Sequence, residues 1–223
     1  MRTTLVVIAH FVAAGTVLGQ ELHIPIITEA PVLADFVGMT PPEEVRDRYA
    51  VVTDFTQREP ENGAPSSQRT DVYLGYDSKN LYAVFVAHDD DPASVRANLA
   101  PRENIENDDR VGLLIDTFDD QRTGYGFRSS PLGVQWDARW AEVGRTEFDE
   151  SFEAVWFTDG QVTAGGYVVL MTIPFRALRF AETPEQRWRI QLERLIPRTS
   201  EEAYWPAYSQ LVDGRLNQAA VLN

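Results

Sequence analysis

The feature that most constrains the fold is a series of short segments rich in β-branched and aromatic residues, separated by turn-forming sequences. Many short strands at this spacing are typical of an antiparallel sandwich. In RWRIQLERL, the residues Trp188, Ile190 and Leu192 alternate with polar residues, which predicts a strand with one buried face. LYAVFVAH is apolar on both faces, as in a central strand that is covered on both sides. The predicted strands are 72–76, 81–88, 111–116, 124–129, 134–140, 152–157, 167–173 and 187–195.

The sequence therefore predicts an all-β fold, a single antiparallel β-sandwich of jelly-roll or immunoglobulin-like topology with one or two short helices. A helix is expected at TPPEEV, where Thr40 can cap it and Pro41 takes the first helical position. Other polar segments are expected to be loops or turns, namely QREPENGAPSSQRT, TDGQ and TSEEAYWPAYS. The expected organisation is edge strands and a short helix in 20–54, the sandwich in 55–212, and a tail or linker in 213–223.

Residues 1–19 have the pattern of a secretory signal peptide. Arg2 supplies a basic start, an apolar run extends from Leu5 to Leu18, and small residues precede Gln20. The alternative is an uncleaved membrane anchor, although the run is shorter than the ~20 apolar residues that a spanning helix needs. The sequence therefore predicts export to the periplasm, the cell surface or the outer membrane.

Charge and cysteine content exclude several classes of function. The net charge is −14, from 20 basic and 34 acidic residues. This balance argues against nucleic-acid binding, which depends on clustered basic residues at phosphates, and against an anionic membrane surface. The chain has no cysteine. Thiol nucleophiles, zinc ribbons and iron–sulfur sites are therefore excluded, and an exported chain must be held together without disulfides.

The stretch DTFDDQRTGYGF lies between two predicted strands, so the chain must reverse direction within it. Asp119, Asp120 and Gly124 are residue types that turns favour. An EF-hand calcium loop needs an oxygen ligand at its third position and Gly at its sixth, where this sequence has Phe118 and Gln121. The stretch is therefore interpreted as a hairpin turn and not as an EF-hand.

Together with the SSPLGVQWD that follows, this stretch resembles the signature segment of carbohydrate-binding module family 9-like (DOMON-like) domains. The version that it resembles occurs at the N-terminus of bacterial outer-membrane β-barrel proteins of unknown function. The resemblance runs from about residue 55 to residue 205. It is also carried by FTQREPENGAPSSQRTDVYLGYDSKNLYAVFVAHDDDP, RENIENDDRVGLLIDTF, GGYVVLMTIPFRALRF and QRWRIQLERLIPRTSEEAYWP. It implies a β-sandwich that binds a polysaccharide or oligosaccharide and associates, covalently or not, with an outer-membrane barrel.

Sugar recognition needs a flat aromatic surface and polar groups directed at hydroxyls, so the tryptophans are the first candidates. Trp205 lies in a polar segment beside Tyr204, where aromatic side chains either line a cleft or pack into the core. Trp140 ends its predicted strand and is either a binding platform or a core residue. Trp136 is expected in the core, because Asp137 and its polar neighbours occupy the opposite face of the strand.

Charged candidates lie in RENIENDDR and in the strand that follows the signature turn. Arg102 could donate to sugar hydroxyls and Asp109 could accept from them, while Asp137 could orient the site. The alternative is a solvated acidic loop with a surface ion pair, which contributes little stability.

Calcium is the only metal that the sequence favours. Asp89 and Asp91 of HDDDP could supply carboxylate oxygens, and Asp119 and Asp120 could complete the six to eight ligands that calcium takes. Family 9 modules bind calcium structurally, so the resemblance implies the same cofactor here.

Three functions remain open from the sequence. The first is a non-catalytic glycan-binding module at the cell envelope, taking part in glycan capture or breakdown. The second is a structural or interaction domain of an outer-membrane barrel protein with a degenerate sugar site. The third, a glycoside hydrolase, is disfavoured, because a pair of carboxylates is its minimum requirement and no further catalytic set accompanies the acidic residues.

Overall fold

The computed structural model describes residues 20–142 and 147–223 and shows two β-sheets packed face to face. The prediction of an all-β sandwich is confirmed, whereas the predicted signal peptide, residues 1–19, lies outside the described residues. The strands are β1 (Glu21–Leu22), β2 (Ala50–Val52), β3 (Thr56–Glu59), β4 (Thr70–Tyr76), β5 (Asn80–His88), β6 (Arg110–Asp116), β7 (Thr123–Ser129), β8 (Gln135–Ala141), β9 (Glu147–Asp149), β10 (Phe157–Thr163), β11 (Gly166–Pro174), β12 (Trp188–Ile196), β13 (Glu201–Trp205) and β14 (Ala220–Leu222).

Helical structure is sparse in the same ranges. The α-helix α1 spans Glu43–Arg46, and short 3₁₀ helices span Leu33–Asp35, Pro92–Ser94, Phe175–Ala177, Pro197–Thr199 and Leu216–Gln218. The predicted cap was wrong, because Pro42 takes the N-cap position of α1 and makes no side-chain cap bond. Within the described part of the chain, none of these helices has the length and hydropathy that crossing a bilayer requires.

The two sheets differ in size. The larger, with nine strands, has the order β1-β14-β12-β6-β7-β8-β9, and β13 joins β12 to β3. The smaller, with five strands, has the order β10-β11-β5-β4-β2. β13 and β14 divide the edge of β12 that is turned away from β6. Among the described residues, the strands pair antiparallel except for β1 with β14, which is parallel.

The main core lies between the sheets and follows the alternation of side chains along each strand. Leu113, Phe127 and Leu192 of the large sheet are buried there with Phe85 and Val169 of the small sheet. The second face of β5 is also buried, as LYAVFVAH predicted. The segment from Ile27 to Tyr49 packs across it, with Phe36 fully buried against Val84 and Val86 of β5.

Several predicted boundaries were wrong. Residues 152–156 form no strand, and β10 includes the TDGQ that was predicted to turn. TSEEAYWPAYS was predicted as a loop, but its first part is β13. Residues 213–223 are not a tail, because β14 pairs with both β1 and β12 and is buried. β10 contains turn-forming residues, and β13 and β14 have only five and three residues, so the local pattern of each did not indicate a strand.

Candidate functional site

The outer face of the large sheet, which points away from the small sheet, carries a concentration of aromatic and charged side chains. The register of the strands defines this face. Leu113 pairs with Phe127 and both point into the main core, so the next residues, Leu114 and Gly126, lie on the outside. We call this surface the aromatic face. Its rings belong to Trp136 and Trp140 of β8, Phe148 of β9, Tyr204 of β13, and Tyr208.

The centre of the aromatic face, which we call its floor, is formed by glycine residues of the sheet. Gly112 of β6 and Gly126 of β7 have no side chain to fill the space above the sheet. A Cβ atom at Gly126 would lie 2.8 Å from Cε1 of Phe148, and one at Gly112 would lie 2.8 Å from Oε1 of Glu193. The glycines therefore let a ring and a carboxylate lie directly on the backbone of the sheet.

A cluster of ions occupies this floor. Arg128 forms a two-pronged ion pair with Glu193, with its Nη2 donating to Oε2 at 3.2 Å. Arg215 donates from Nη2 to the same Oε2 at 2.8 Å and from Nε to Oε1 of Gln191. Burial opposes the ionisation of Glu193, but the charges of the two arginines outweigh it and lower its pKa from 4.5 to about 2. Glu193 is therefore a carboxylate at neutral pH.

The rings of the aromatic face surround these guanidinium groups. Arg128 lies over Trp136 with its guanidinium carbon 4.4 Å from the ring centre, and 4.8 Å from that of Phe148. The corresponding distances of Arg215 are 5.4 Å to Trp140 and 5.1 Å to Tyr204. These separations are within the range of cation–π attraction.

Residues 206–219, which we call the strap, cross one end of the aromatic face. Leu216 of the strap packs against Trp140 and Leu114, and Arg215 enters the ion cluster from the same segment. Gln218 fixes the conformation of the strap, because its Nε2 donates to the carbonyls of residues 209, 212 and 214. As a result Trp140 is only 5% exposed.

The part of the aromatic face beside the first residues of the strap is partly exposed to solvent. The side chains of Arg58 and Glu202 are 26% and 32% exposed and lie 3.3 Å apart. Arg58 also lies over the half-buried ring of Tyr208, at 4.8 Å from its centre. Arg110 shares the row of Glu202, since both pair with Leu195 of β12. We call Arg58, Arg110, Glu202 and Tyr208 the rim.

Two of the predicted ligand residues, Trp140 and Tyr204, are brought together on the aromatic face. Trp205 is not with them. It is the last residue of β13 and packs between the sheets, because successive residues of a strand point to opposite faces. The prediction that Trp205 lies in a loop was therefore wrong, and its ring is not presented on the aromatic face.

The tryptophans of β8 are buried as their pattern suggested, but not in the main core. Trp136 packs with Ile105 and Ala138, and Trp140 with Leu114 and Leu216, in two small clusters on the outer face. The opposite side of β8, which carries Asp137, faces inward instead. The polar side of β8 was interpreted as the side that faces solvent. In the structure its polar residues instead form hydrogen bonds with a neighbouring segment of the protein.

Arg102 and Asp137 form part of that internal network. Arg102 donates to Oδ1 of Asp137 and, at 2.9 Å, to the carbonyl of Ala154. Asp137 also accepts from the backbone N–H of Ala154 at 2.7 Å and from Nε1 of Trp156 at 3.1 Å. Both oxygens of this fully buried carboxylate are used to attach residues 152–156 to β8. The geometry therefore assigns this pair to the internal fold and not to the aromatic face.

Asp109 lies elsewhere, in a buried group of ions between the ends of the sheets. It accepts the backbone N–H of Arg96 at 2.9 Å and is 3.5 Å from Nη1 of Arg198. Burial raises its pKa above the usual aspartate value, against the effect of that hydrogen bond and of the nearby arginines. Asp109 is fully buried. It is therefore not at a rim that an extended glycan reaches.

The four predicted calcium ligands fall into two pairs at opposite ends of the sandwich. Asp89 bonds Arg198 at 2.6 Å, close to Asp109 at the start of β6. Asp119 follows the end of β6 and pairs with Arg187 at 2.8 Å. A strand of this length spans about 20 Å, so the pairs cannot share one ion.

The remaining two carboxylates are also occupied by protein donors. Asp91 accepts the hydroxyl of Ser94. Asp120 accepts the backbone N–H groups of Arg122 and Thr123 at 2.7 and 2.8 Å, as a turn residue does. Across residues 20–142 and 147–223 there is no cluster of three or more acidic or histidine side chains suited to a metal. The predicted four therefore do not fit a calcium ion.

Two clefts lie outside the aromatic face. The first, about 690 Å³, is at the end of the sandwich near Trp188 and is walled by Tyr76, Phe175 and Phe180. The second, about 620 Å³, is polar and contains His88 and the loop from Pro65 to Thr70. Neither contains a residue that the sequence singled out as a ligand.

Sequence reasoning missed the charged centre of the aromatic face. The alternation of RWRIQLERL did place Gln191 and Glu193 on the polar side of a strand, which was the available signal. Arg128 lies within the predicted strand 124–129, but nothing in the sequence around it indicated a functional residue. Arg215 and Tyr208 come from the strap, and nothing local to those residues indicates that they return to the sheet.

The fold and the site together define a class, a two-sheet β-sandwich with an aromatic, charged outer face on its larger sheet. No protein-family model matches the sequence, and no curated protein matches it significantly. Solved structures do share the architecture. A putative carbohydrate-binding protein from Bacteroides uniformis superposes with a TM-score of 0.66 at 12% identity, over 92% of this chain and 98% of that chain.

Two structures of a carbohydrate-binding module of family 9 from Caldicellulosiruptor kristjanssonii are also similar. The one in complex with cellotriose has a TM-score of 0.58 at 11% identity, over 92% of this chain and 93% of that chain. The one in complex with glucose has a TM-score of 0.57 at 11% identity, over 91% and 95%. This chain therefore has the fold of a family 9-like carbohydrate-binding domain, as the sequence motifs predicted.

Proposed function

We propose that this protein is a non-catalytic carbohydrate-binding module that recognises a polysaccharide or oligosaccharide on the aromatic face of its large sheet. The observation that carries the proposal is the combination on one face of aromatic rings with charged groups set between them. Rings present flat apolar surface to the C–H side of a sugar, while carboxylate and guanidinium groups form strong hydrogen bonds with its hydroxyls.

The structural relatives support this proposal. The family 9 module with a similar fold was solved with cellotriose and with glucose. A sugar ligand for the present chain agrees with that likeness and with the rim, where Arg58, Tyr208 and Glu202 are accessible.

We further propose that the module acts at the bacterial cell envelope, in glycan capture or breakdown. This part rests on the sequence alone. The signal-peptide pattern of residues 1–19 supports export, and the family resemblance supports association with an outer-membrane barrel.

Affinity electrophoresis against a panel of soluble polysaccharides tests the function. We expect at least one glycan to retard the protein, and Tyr208→Ala to reduce the retardation because it removes an accessible ring of the rim. Phe157→Ala is the matched control, since Phe157 is an aromatic residue 56% exposed on the small sheet. Retardation that Tyr208→Ala leaves intact would place the sugar elsewhere.

One observation favours a second candidate, a structural or interaction domain with a degenerate sugar site. The strap covers Trp140, and Arg215 occupies the space between that ring and Tyr204. With Trp140 covered in this way, only the partly exposed rim is available to a ligand. Failure of every glycan in the panel to retard the wild-type protein would support this candidate over the first.

A further inference from the structure

The cleft near Trp188 lies between the ends of the two sheets. Its volume is about 690 Å³, within the range of about 300–1,000 Å³ that is typical of small-molecule sites. Leu81 of the small sheet and Leu222 of the large sheet line it together with Trp188, and all three are buried in the main core. These side chains form the base of the cleft, which therefore ends inside the protein.

Aromatic rings form the wall of this cleft. Tyr76, Phe175 and Phe180 line it and are half-buried, so none of the three is fully covered by the protein. The ring centres of Phe175 and Phe180 lie 5.9 and 5.5 Å from that of Trp188. The planes of Phe175 and Trp188 are inclined by 81°. Rings at such angles offer both a face and an edge to a further ring.

A folded loop holds the indole of Trp188 in place. Its Nε1 donates to Oε1 of Gln186 at 3.1 Å. Nε2 of Gln186 in turn donates to the carbonyls of Ala181 and Thr183 at 2.9 and 2.8 Å. The polar atom of the indole is therefore satisfied by the protein, and the wall is already ordered before a ligand arrives. Such preorganisation lowers the cost of binding.

The cleft carries little uncompensated charge. Among the described residues that line it, the charged side chains are Glu185 and Arg187, which have opposite signs. Arg187 is also paired through Nε with Oδ2 of Asp119 at 2.8 Å. A ligand with a net charge would lose its hydration here without gaining an unpaired partner, so an uncharged ligand is favoured.

From these features we propose that the cleft binds an uncharged aromatic compound, whose ring packs against Phe175, Phe180 and Trp188. Aromatic pairs in edge-to-face or offset arrangements attract each other beyond the burial of their surface. The inference goes beyond the proposed function and does not depend on it, because the cleft lies outside the aromatic face.

A sugar ring suits this cleft less well than an aromatic ring. Hydroxyl groups surround a sugar ring, and burying a hydroxyl group without a hydrogen bond is costly. The base of the cleft consists of Leu81, Leu222 and the indole of Trp188, whose one polar atom is already bonded to Gln186. An aromatic ring that carries a single hydroxyl group at its outer end avoids this cost.

A matched pair of ligands tests whether the cleft recognises aromatic rings. The probes are benzyl alcohol and its saturated analogue cyclohexylmethanol, which share a carbon skeleton and a hydroxyl group. We expect an NMR titration to show about tenfold tighter binding of benzyl alcohol, which corresponds to two aromatic contacts of ordinary strength. A cleft that recognises only apolar surface would bind the saturated compound at least as tightly.

The same titration locates the bound ring. The chain has five tryptophans, each of which contributes one indole N–H signal, and the signal of Trp188 is assigned by its loss in Trp188→Phe. We expect this signal to move as benzyl alcohol is added. The signals of Trp136 and Trp140, which lie on the aromatic face, should stay in place.

Protein variants connect the preference to the wall of the cleft. Phe180→Leu removes one ring but keeps an apolar side chain. It should weaken binding of benzyl alcohol about threefold, the share of one aromatic contact, and leave binding of cyclohexylmethanol nearly unchanged. Phe157→Leu makes the same substitution at a position 56% exposed on the small sheet and should have no effect. Thermal melts establish that each variant is folded.

The outcomes separate this inference from the proposed function. Equal or tighter binding of cyclohexylmethanol, or binding of neither alcohol, would overturn the inference. Movement of the Trp140 signal without that of Trp188 would also overturn it. Failure of every glycan in the electrophoresis panel would contradict only the proposed function. Loss of glycan retardation in a folded Phe180→Leu protein would place the sugar in this cleft and overturn the inference.

Discussion

Replacing Glu193 by glutamine removes the one carboxylate that Arg128 and Arg215 share on the floor of the aromatic face. The side chains of Glu193 and Arg215 are 3% and 4% exposed, so water cannot replace the lost charge. Two buried guanidinium groups would then face each other across a neutral amide. Removing one partner of a buried ion pair typically costs about 3–5 kcal/mol of unfolding free energy.

The pKa of Glu193 leads to a similar magnitude by a separate route. Its folded-state pKa is about 2, against an ordinary value of 4.5. Each unit of such a difference corresponds to about 1.4 kcal/mol, so ionised Glu193 stabilises the fold by about 3 kcal/mol. Because the folded pKa is the lower one, this contribution is complete above about pH 4.5. It is lost as the pH falls toward 2, where Glu193 becomes protonated.

Urea unfolding of wild type and Glu193→Gln, near pH 7 and again near pH 3, measures both effects. We expect a difference of about 3–5 kcal/mol near pH 7 that shrinks toward about 1 kcal/mol near pH 3. Glu202→Gln is the matched control on the same face. Its side chain is 32% exposed, so its loss should cost at most about 1 kcal/mol. A difference below 1 kcal/mol for Glu193→Gln, or one that does not change with pH, would refute the reasoning.

Three further predictions concern packing and metal binding. Gly126→Ala should lower the unfolding free energy by about 1–3 kcal/mol, because its Cβ would press on the ring of Phe148, while Gly38→Ala, with open space around it, should be nearly neutral. Trp205→Ala should cost about 3–5 kcal/mol in urea unfolding through loss of core packing, and any glycan affinity should survive in the folded fraction. Addition of EGTA should leave the melting temperature unchanged, and Asp119→Asn should not alter the response to calcium.

Each of these has an outcome that would contradict it. Equal stability of the Gly126 and Gly38 variants would mean that Phe148 does not lie on the sheet floor. A folded Trp205→Ala protein that had lost its glycan affinity would restore Trp205 as a ligand residue. A melting temperature that falls with EGTA and recovers with calcium would show that a calcium site exists after all.

Much of the sandwich was predictable because the spacing of apolar residues that is typical of a strand is visible along the whole length of each central strand. β5, β6, β11 and β12 were each located to within one residue at either end. They bury one or both faces, so apolar residues recur at the spacing of a strand. β13 and β14 lacked this signal, since strands of five and three residues are too short to show a period.

The candidate site was predictable only in part. Trp140 and Tyr204 were recognised as aromatic candidates and do lie on the aromatic face. Trp205 was chosen with Tyr204 as its neighbour in a loop, and the existence of β13 separates the two onto opposite faces. Arg128, Glu193 and Arg215 come from β7, β12 and the strap. They come within hydrogen-bonding distance only because β7 and β12 both pair with β6 and the strap crosses the same face.

The amino-acid sequence by itself determined the class of fold and the two-sided character of each central strand, because alternation of side chains is a property of the local backbone. It did not determine which side of β8 faces the second sheet. Trp136 and Asp137 are both buried, one outside the large sheet and one inside. That choice depends on what covers each face. Ile105, Phe148 and the strap cover one side and residues 152–156 cover the other, and both coverings are formed only when distant segments pack together.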